Sequence, residues 1–272
     1  QRAPVPRPGG SRAAPLVGVE GVRAPEGWGG AGRGISHLEL GEPGVAGPRG
    51  VGEAATEALR HGSIGYGDAL GDAPLRARIA RHYGERYGVD ITPDRVIATT
   101  GSSGGFLLAF LAAFDPGARI AVTAPGYPAY ANILSALGLE PVLLEIGEET
   151  RFAPTAAMLE AAHRSGKLHG ALFMSPANPT GAMIARDELA RICAFCDEAE
   201  IVLVSDEIYH GLEYEMRAET ALRFSQRALV INSFSKYYAM TGRLLRWPVP
   251  PAPLIPPPDR LPPAPPAPPP AP

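Results

Sequence analysis

Cysteine is almost missing: 2 of 272 residues, Cys193 and Cys196. They form a single CxxC inside "RDELARICAFCDEAE", whose apolar spacing predicts an amphipathic helix and not a redox loop. With no second pair and no histidine at ligand spacing, the pattern argues against zinc. Scarce thiols fit a reducing, cytoplasmic compartment. Long apolar runs are also missing. The longest, "FLLAFLAAF", is about half the ~20 residues a bilayer-crossing helix needs, so no membrane partner is expected. There is no cationic surplus either: 25 Lys+Arg against 28 Asp+Glu give a net charge of −3. Phosphate neutralisation along a nucleic acid is therefore not the expected role.

What is present is ordinary globular material with unusual ends. Apolar residues make up 45% and charged residues 19%, enough for one large domain or one domain plus part of a second. Of 31 prolines, 15 fall in residues 248–272. Each removes an amide donor and fixes φ, which predicts polyproline II and neither a helix nor a central strand there. Residues 1–34 are rich in Gly, Pro and Arg without helical or strand period, and disorder is expected. Arg2, Arg7 and Arg12 precede the first acid, Glu20, as in a transit peptide, but the prolines and glycines oppose an amphipathic helix. "GWGGAG" satisfies GxGxxG with no strand before it or helix after it, and composition accounts for it.

Between these ends, residues 35–247 read as the folded unit. "RVIATT", "RIAVTA", "PVLLEI", "GALFMS", "IVLVSD" and "ALVINS" are strand-like. "GGFLLAFLAAF", "YPAYANILSALG", "APTAAMLEAAHRSG" and "RDELARICAFCDEAE" are helix-length stretches between them. Strands apolar on both faces, joined by crossover helices, predict a mostly parallel sheet in a three-layer α/β/α sandwich. Ligands in such sheets bind beyond the carboxyl ends of the strands. Unusual residues fall at those ends. "TTGSSGGF" offers amides, hydroxyls and a positive helix end to an anion, or is simply a helix cap. "MSPANPTG" reads as a turn. "VSDEIYHGLEY" puts Asp206 and Glu207 where an apolar run stops, a place where acids are usually solvated. "INSFSKYYAMTG" puts Lys236 just past another strand.

Taken together, and in this order, "LELGEP", "GYGDALG", "TTGSSGGF", "APGYPAY", "SPANPTG", "DEIYHGL" and "SFSK" resemble the class I/II aminotransferases, fold-type I enzymes that use pyridoxal 5′-phosphate. The resemblance runs over about residues 37 to 242. It implies that 35–247 is the cofactor-binding large domain, in part, with the small domain largely missing. It implies a Lys236 Schiff base, with the same amine moving a proton between substrate and cofactor, which needs a depressed pKa. Asp206 would hold the pyridine nitrogen protonated; unit charges at ~4 Å and an effective dielectric near 20 attract by about 4 kcal/mol. Tyr209 and Asn178 would bond the phenolic oxygen, and Tyr127 would stack on the ring. Ser102, Ser103, Gly104, Ser233 and Ser235 would surround the phosphate. Tyr66 would reach the phosphate of a neighbouring subunit, implying a homodimer. Gly41 and Asn178 would meet the substrate, an amino acid or a 2-oxo acid.

The pattern breaks after the lysine. The family expects an arginine eight positions on and a small residue two later; Leu244 and Arg246 stand there, with Arg243 one place early. Proline repeats stand where the family continues into a small domain bearing the arginine for the substrate carboxylate, which predicts impaired catalysis. "PLI" and "DRL" read as remnants of an altered C-terminal sequence. A lyase using the same lysine and a non-enzyme offering PxxP segments to SH3-like domains are the alternative readings. The substrate is not legible.

Overall fold

The computed structural model describes residues 41–62 and 67–255, and the side chains of 101–103 lie outside that set. The segment 1–34 with its GxGxxG, and residues 256–272, are likewise outside it.

All six expected strand runs form: β1 (Thr99–Thr100), β2 (Arg119–Ala124), β3 (Glu140–Glu145), β4 (Gly170–Met174), β5 (Val202–Asp206) and β6 (Leu229–Ser233). A seventh, β7 (Leu245–Val249), completes one sheet in the order β1-β7-β6-β5-β4-β2-β3. β2 to β6 pair in parallel, while β7 lies antiparallel between β1 and β6. The parallel strands need crossovers; α-helices supply all of them but the one from β5 to β6, which runs through residues 207–228 with a single short 3-10 turn.

Six α-helices are described: α1 (Arg49–His61), α2 (Ala73–Tyr87), α3 (Gly101–Ala113), α4 (Pro128–Ala136), α5 (Ala156–Ser165) and α6 (Arg186–Glu198). Their ends follow from local chemistry. Asp72 accepts the Leu75 amide at 3.2 Å to start α2, and Gly88, at φ 63°, ends it in the left-handed conformation that glycine adopts freely. Thr155 caps α5 by accepting the Met158 amide at 3.2 Å. Glu188, in the first turn of α6, accepts the Ala156 amide at 2.7 Å and ties the two helix starts together.

Strand alternation divides the core in two. Ala171, Phe173 and Leu203 join Tyr83, Leu159, Ile192 and Trp247 on the face covered by α2, α5 and α6. Leu172 and Val204 join Phe110, Tyr130 and Leu134 on the face covered by α3 and α4. These are the three layers. The CxxC is helical, both thiols are buried in the first core, and burial pushes Cys193 up to about 12 and Cys196 higher still.

One boundary needs correction. The expectation that no central strand includes residues from 248 onward fails, because Pro248 and Val249 belong to β7. The Pro248 carbonyl accepts the Ile97 amide at 3.1 Å. In an antiparallel ladder the N–H and C=O of one residue point the same way, so the missing Pro248 donor faces the β1 side and costs nothing toward β6. The β1 pairing accordingly stops at Thr99, and "RVIATT" yields only two strand residues.

Candidate active site

Four strand ends deliver side chains to one cavity of about 400 Å³ at the carboxyl edge of the parallel strands. Tyr127 follows β2, Asn178 follows β4, Asp206 ends β5, and Ser235 and Lys236 follow β6; all line the cavity, as does Gly41.

Lys236 is positioned by a serine turn. Ser233 Oγ accepts the Ser235 amide at 2.8 Å and donates to Ser235 Oγ at 2.8 Å, turning the chain directly after β6. Lys236 Nζ then donates to the Gly41 carbonyl at 2.5 Å. Burial and the Arg246 charge hold its pKa below the usual lysine range, with Glu42 opposing. The amine lies 6.0 Å from the centre of the Tyr209 ring.

Asp206 is not solvated at its strand end but 2% exposed. The Tyr130 hydroxyl donates to Oδ2 and the Ile208 amide to Oδ1, the latter at 3.1 Å. Burial raises its pKa, while the Tyr130 bond, the Arg246 charge and the Ile208 bond oppose that rise. Glu207 is buried too, on the opposite face, with no hydrogen-bond partner for Oε2 among the described residues. Both acids depart from the solvated expectation because β5 is a central strand, with β4 and β6 on either side.

Other residues singled out in the sequence divide in two. Tyr209, raised in pKa by burial and then by Asp206, stands on the cavity wall with Asn178. Tyr127 meets Tyr130 edge-on with ring centres 5.3 Å apart. Ser233 is behind the wall, 1% exposed, and bonds Ser235, which lines the cavity. Gly104 is in the first turn of α3 without lining the cavity. The side chains of Ser102 and Ser103, and all of Tyr66, lie outside the described residues. Tyr130 and Phe106 were not singled out in the sequence. A trace of Tyr130 was present, since it follows Tyr127 by three residues and so shares its side of α4.

This set of side chains fits pyridoxal phosphate. The cavity combines a half-buried primary amine, a buried carboxylate, a hydroxyl and amide pair at Tyr209 and Asn178, and apolar walls from Phe106, Ile133 and Ile208. The Thr100 side chain makes no cap at the start of α3, where the first helical amides have no partner within the helix and suit an anion. Among the described residues no group of His, Cys, Asp and Glu could hold a metal, and no helix is long and apolar enough to cross a membrane.

Comparison with known proteins agrees. The family model described as aminotransferase class I and II matches residues 38–244. A valine–pyruvate aminotransferase of Mycobacterium tuberculosis is 51% identical over 215 residues, which is 78% of this chain and 55% of that protein. A (5-formylfuran-3-yl)methyl phosphate transaminase of Methanocaldococcus jannaschii is 36% identical over 214 residues, 78% of this chain and 54% of that protein. The crystal structure of an aminotransferase from Mycobacterium tuberculosis superposes with a TM-score of 0.85 at 45% identity, covering 91% of this chain and 65% of that one. The chain thus spans about half the length of the curated relatives it matches. With the family's motifs at the strand ends and the family's fold beneath them, the chain belongs to the class I and II aminotransferases.

Proposed function

We propose that the protein moves an amino group between an amino acid and a 2-oxo acid, with pyridoxal phosphate held in this cavity. One observation carries the reading: the Lys236 amine and the Asp206 carboxylate, 30 residues apart in sequence, line a single cavity. The cofactor, when bound, supplies an aldehyde for the amine and a ring that withdraws electrons from the substrate α-carbon. The chain's own residues would do the rest. Lys236, its pKa lowered by burial and Arg246, is suited to accept and return the α-proton. Asp206 is suited to fix a proton on the ring nitrogen, and Tyr130 orients it. Asn178 and Tyr209 would hold the ring oxygen, Tyr127 would cover a face, and Gly41 would approach the substrate. A homodimer and a cytoplasmic location belong to the same reading.

The test uses the whole chain loaded with pyridoxal phosphate, reduced with borohydride and mapped by peptide. Label on Lys236 is expected; label elsewhere, or none on folded protein, overturns the proposal. Valine and pyruvate, the pair in the name of the 51% identical relative, are the first substrates to try. Transamination leaves the cofactor as its amine, whereas release of ammonia with the aldehyde retained would instead support a lyase.

A further inference from the structure

Arg246 is the charged residue of the cavity that the motifs leave without a role. The residue is 9% exposed, on a strand interior, and it lines the cavity. Among the described residues no hydrogen bond or ion pair within 4 Å reaches its guanidinium; the groups it senses at longer range are Asp206, Tyr130, Tyr127 and Tyr209. No Arg246 nitrogen is among the fully buried atoms that lack a partner, so the guanidinium opens to the cavity it lines, where it stays charged and free to meet an acceptor. The cavity wall therefore holds two cations, Lys236 and Arg246, against one carboxylate, Asp206. That excess calls for an anion.

Register shows where the anion belongs. Arg246 is the cross-strand partner of Thr99 on one side and of Ser233 on the other. Two residues past Thr99 the chain enters α3, whose first amides the Thr100 side chain does not cap. Two residues past Ser233 is Ser235, whose hydroxyl is on the cavity wall. The neighbouring Trp247 points to the opposite face, where its Nε1 donates to the Tyr83 hydroxyl at 3.2 Å. By strand alternation Arg246 faces α3 and the cavity. The position eight past the lysine is filled by Leu244, 59% exposed, and Arg243 faces a separate hollow that it shares with Arg49.

We propose that Arg246 supplies, from within β7, the guanidinium of a phosphate-monoester seat completed by the amino end of α3 and the Ser235 hydroxyl, so that this chain grips its cofactor's phosphate from the strand. The proposal rests on the functional reading above for the identity of the ligand. The seat itself rests on the register and on the unpartnered side chain.

The experiment compares the whole wild-type chain with Arg246→Gln, Arg246→Lys and Arg243→Gln. Each is titrated with inorganic phosphate, followed by phosphorus NMR, and with pyridoxal phosphate and pyridoxal, followed by absorbance. Losing a charged hydrogen-bond donor should weaken R246Q for inorganic phosphate and for pyridoxal phosphate by roughly 10- to 100-fold. Pyridoxal, which lacks the phosphate, should change by less than about threefold, a split that a misfolded variant would not give. R246K should recover part of the loss, and R243Q should match wild type. Pyridoxal phosphate binding that is unchanged or tighter in R246Q overturns the proposal, and tighter binding would mean that the guanidinium blocks the ring or occupies Asp206. Equal loss for pyridoxal and pyridoxal phosphate overturns it as well. A wild type that takes up neither aldehyde yet binds inorganic phosphate through Arg246 sinks the aminotransferase reading and keeps the seat.

Discussion

Replacing Glu207 by glutamine should remove the fall in stability that the wild type shows between pH 6.5 and 8. Glu207 is 1% exposed. Its Oε1 accepts from the Ala221 amide at 2.9 Å, Thr220 Oγ1 at 3.0 Å and Ser205 Oγ at 3.2 Å. Its Oε2 has no hydrogen-bond partner among the described residues and lies 3.6 Å from His210 Nδ1. That nitrogen already shares a 2.7 Å hydrogen bond with the Tyr87 hydroxyl. Burial pushes Glu207 up to about 8 and His210 down to about 4. At neutral pH both are therefore uncharged, and the close approach of acid and imidazole is not an ion pair.

The sign follows from which state holds the proton. Glu207 has a folded pKa above its unfolded 4.5, so its contribution is complete below 4.5 and is lost as pH rises toward 8. His210 has a folded pKa below its unfolded 6.5, so its contribution is complete above 6.5 and is lost as pH falls toward 4. Each changes stability by about 1.4 kcal/mol per pH unit. Between 4.5 and 6.5 the two slopes cancel. From 6.5 to 8 only Glu207 acts, and the wild type should lose about 2 kcal/mol. Glutamine keeps the Oε1 acceptor and removes the titration. The difference between wild type and E207Q, from urea denaturation at pH 5, 6.5 and 8, should therefore shift by about 2 kcal/mol in favour of the variant between the last two. A difference that stays flat, or moves the other way, would show that Glu207 is already ionised in the folded protein and would refute the reasoning.

Three further substitutions test the core and the Tyr130 contact of Asp206. Tyr130→Phe removes the hydroxyl that donates to Asp206 Oδ2 and should cost about 1–3 kcal/mol while raising the Asp206 pKa further, read by carboxyl-carbon NMR titration; an unchanged titration would mean the bond does not form in solution. Leu134→Ala, at a fully buried site between α4 and the sheet, should cost about 2–5 kcal/mol by urea denaturation, whereas Leu108→Ala, on a residue 54% exposed in α3, should change stability by less than about 0.5 kcal/mol. Equal effects at both positions would contradict the layer assignment.

The sequence by itself determined the class of fold and the positions of the chemistry. Two-sided apolar strands such as "GALFM" and "VLVSD" cannot be stable unless both faces are covered, and helix-length stretches lie between most of them, so the parallel sandwich is legible in the pattern. Polar residues placed where those runs end mark the carboxyl edge, and the resemblance of the motifs they stand in to the aminotransferases is what singled out Asn178, Asp206 and Lys236 before any coordinate was known. Tertiary structure decided what depends on pairing between distant segments. β7 was invisible because a proline inside a strand is acceptable only when its missing donor faces a side that does not need it, and that side is set by Ile97, far away in sequence. The same pairing turned Arg246 from a departure from a motif into a buried cation facing the cavity. The burial of Asp206 and Glu207 also required neighbours on both flanks, since solvation of a carboxylate is a property of its surroundings and not of the residues beside it in the chain.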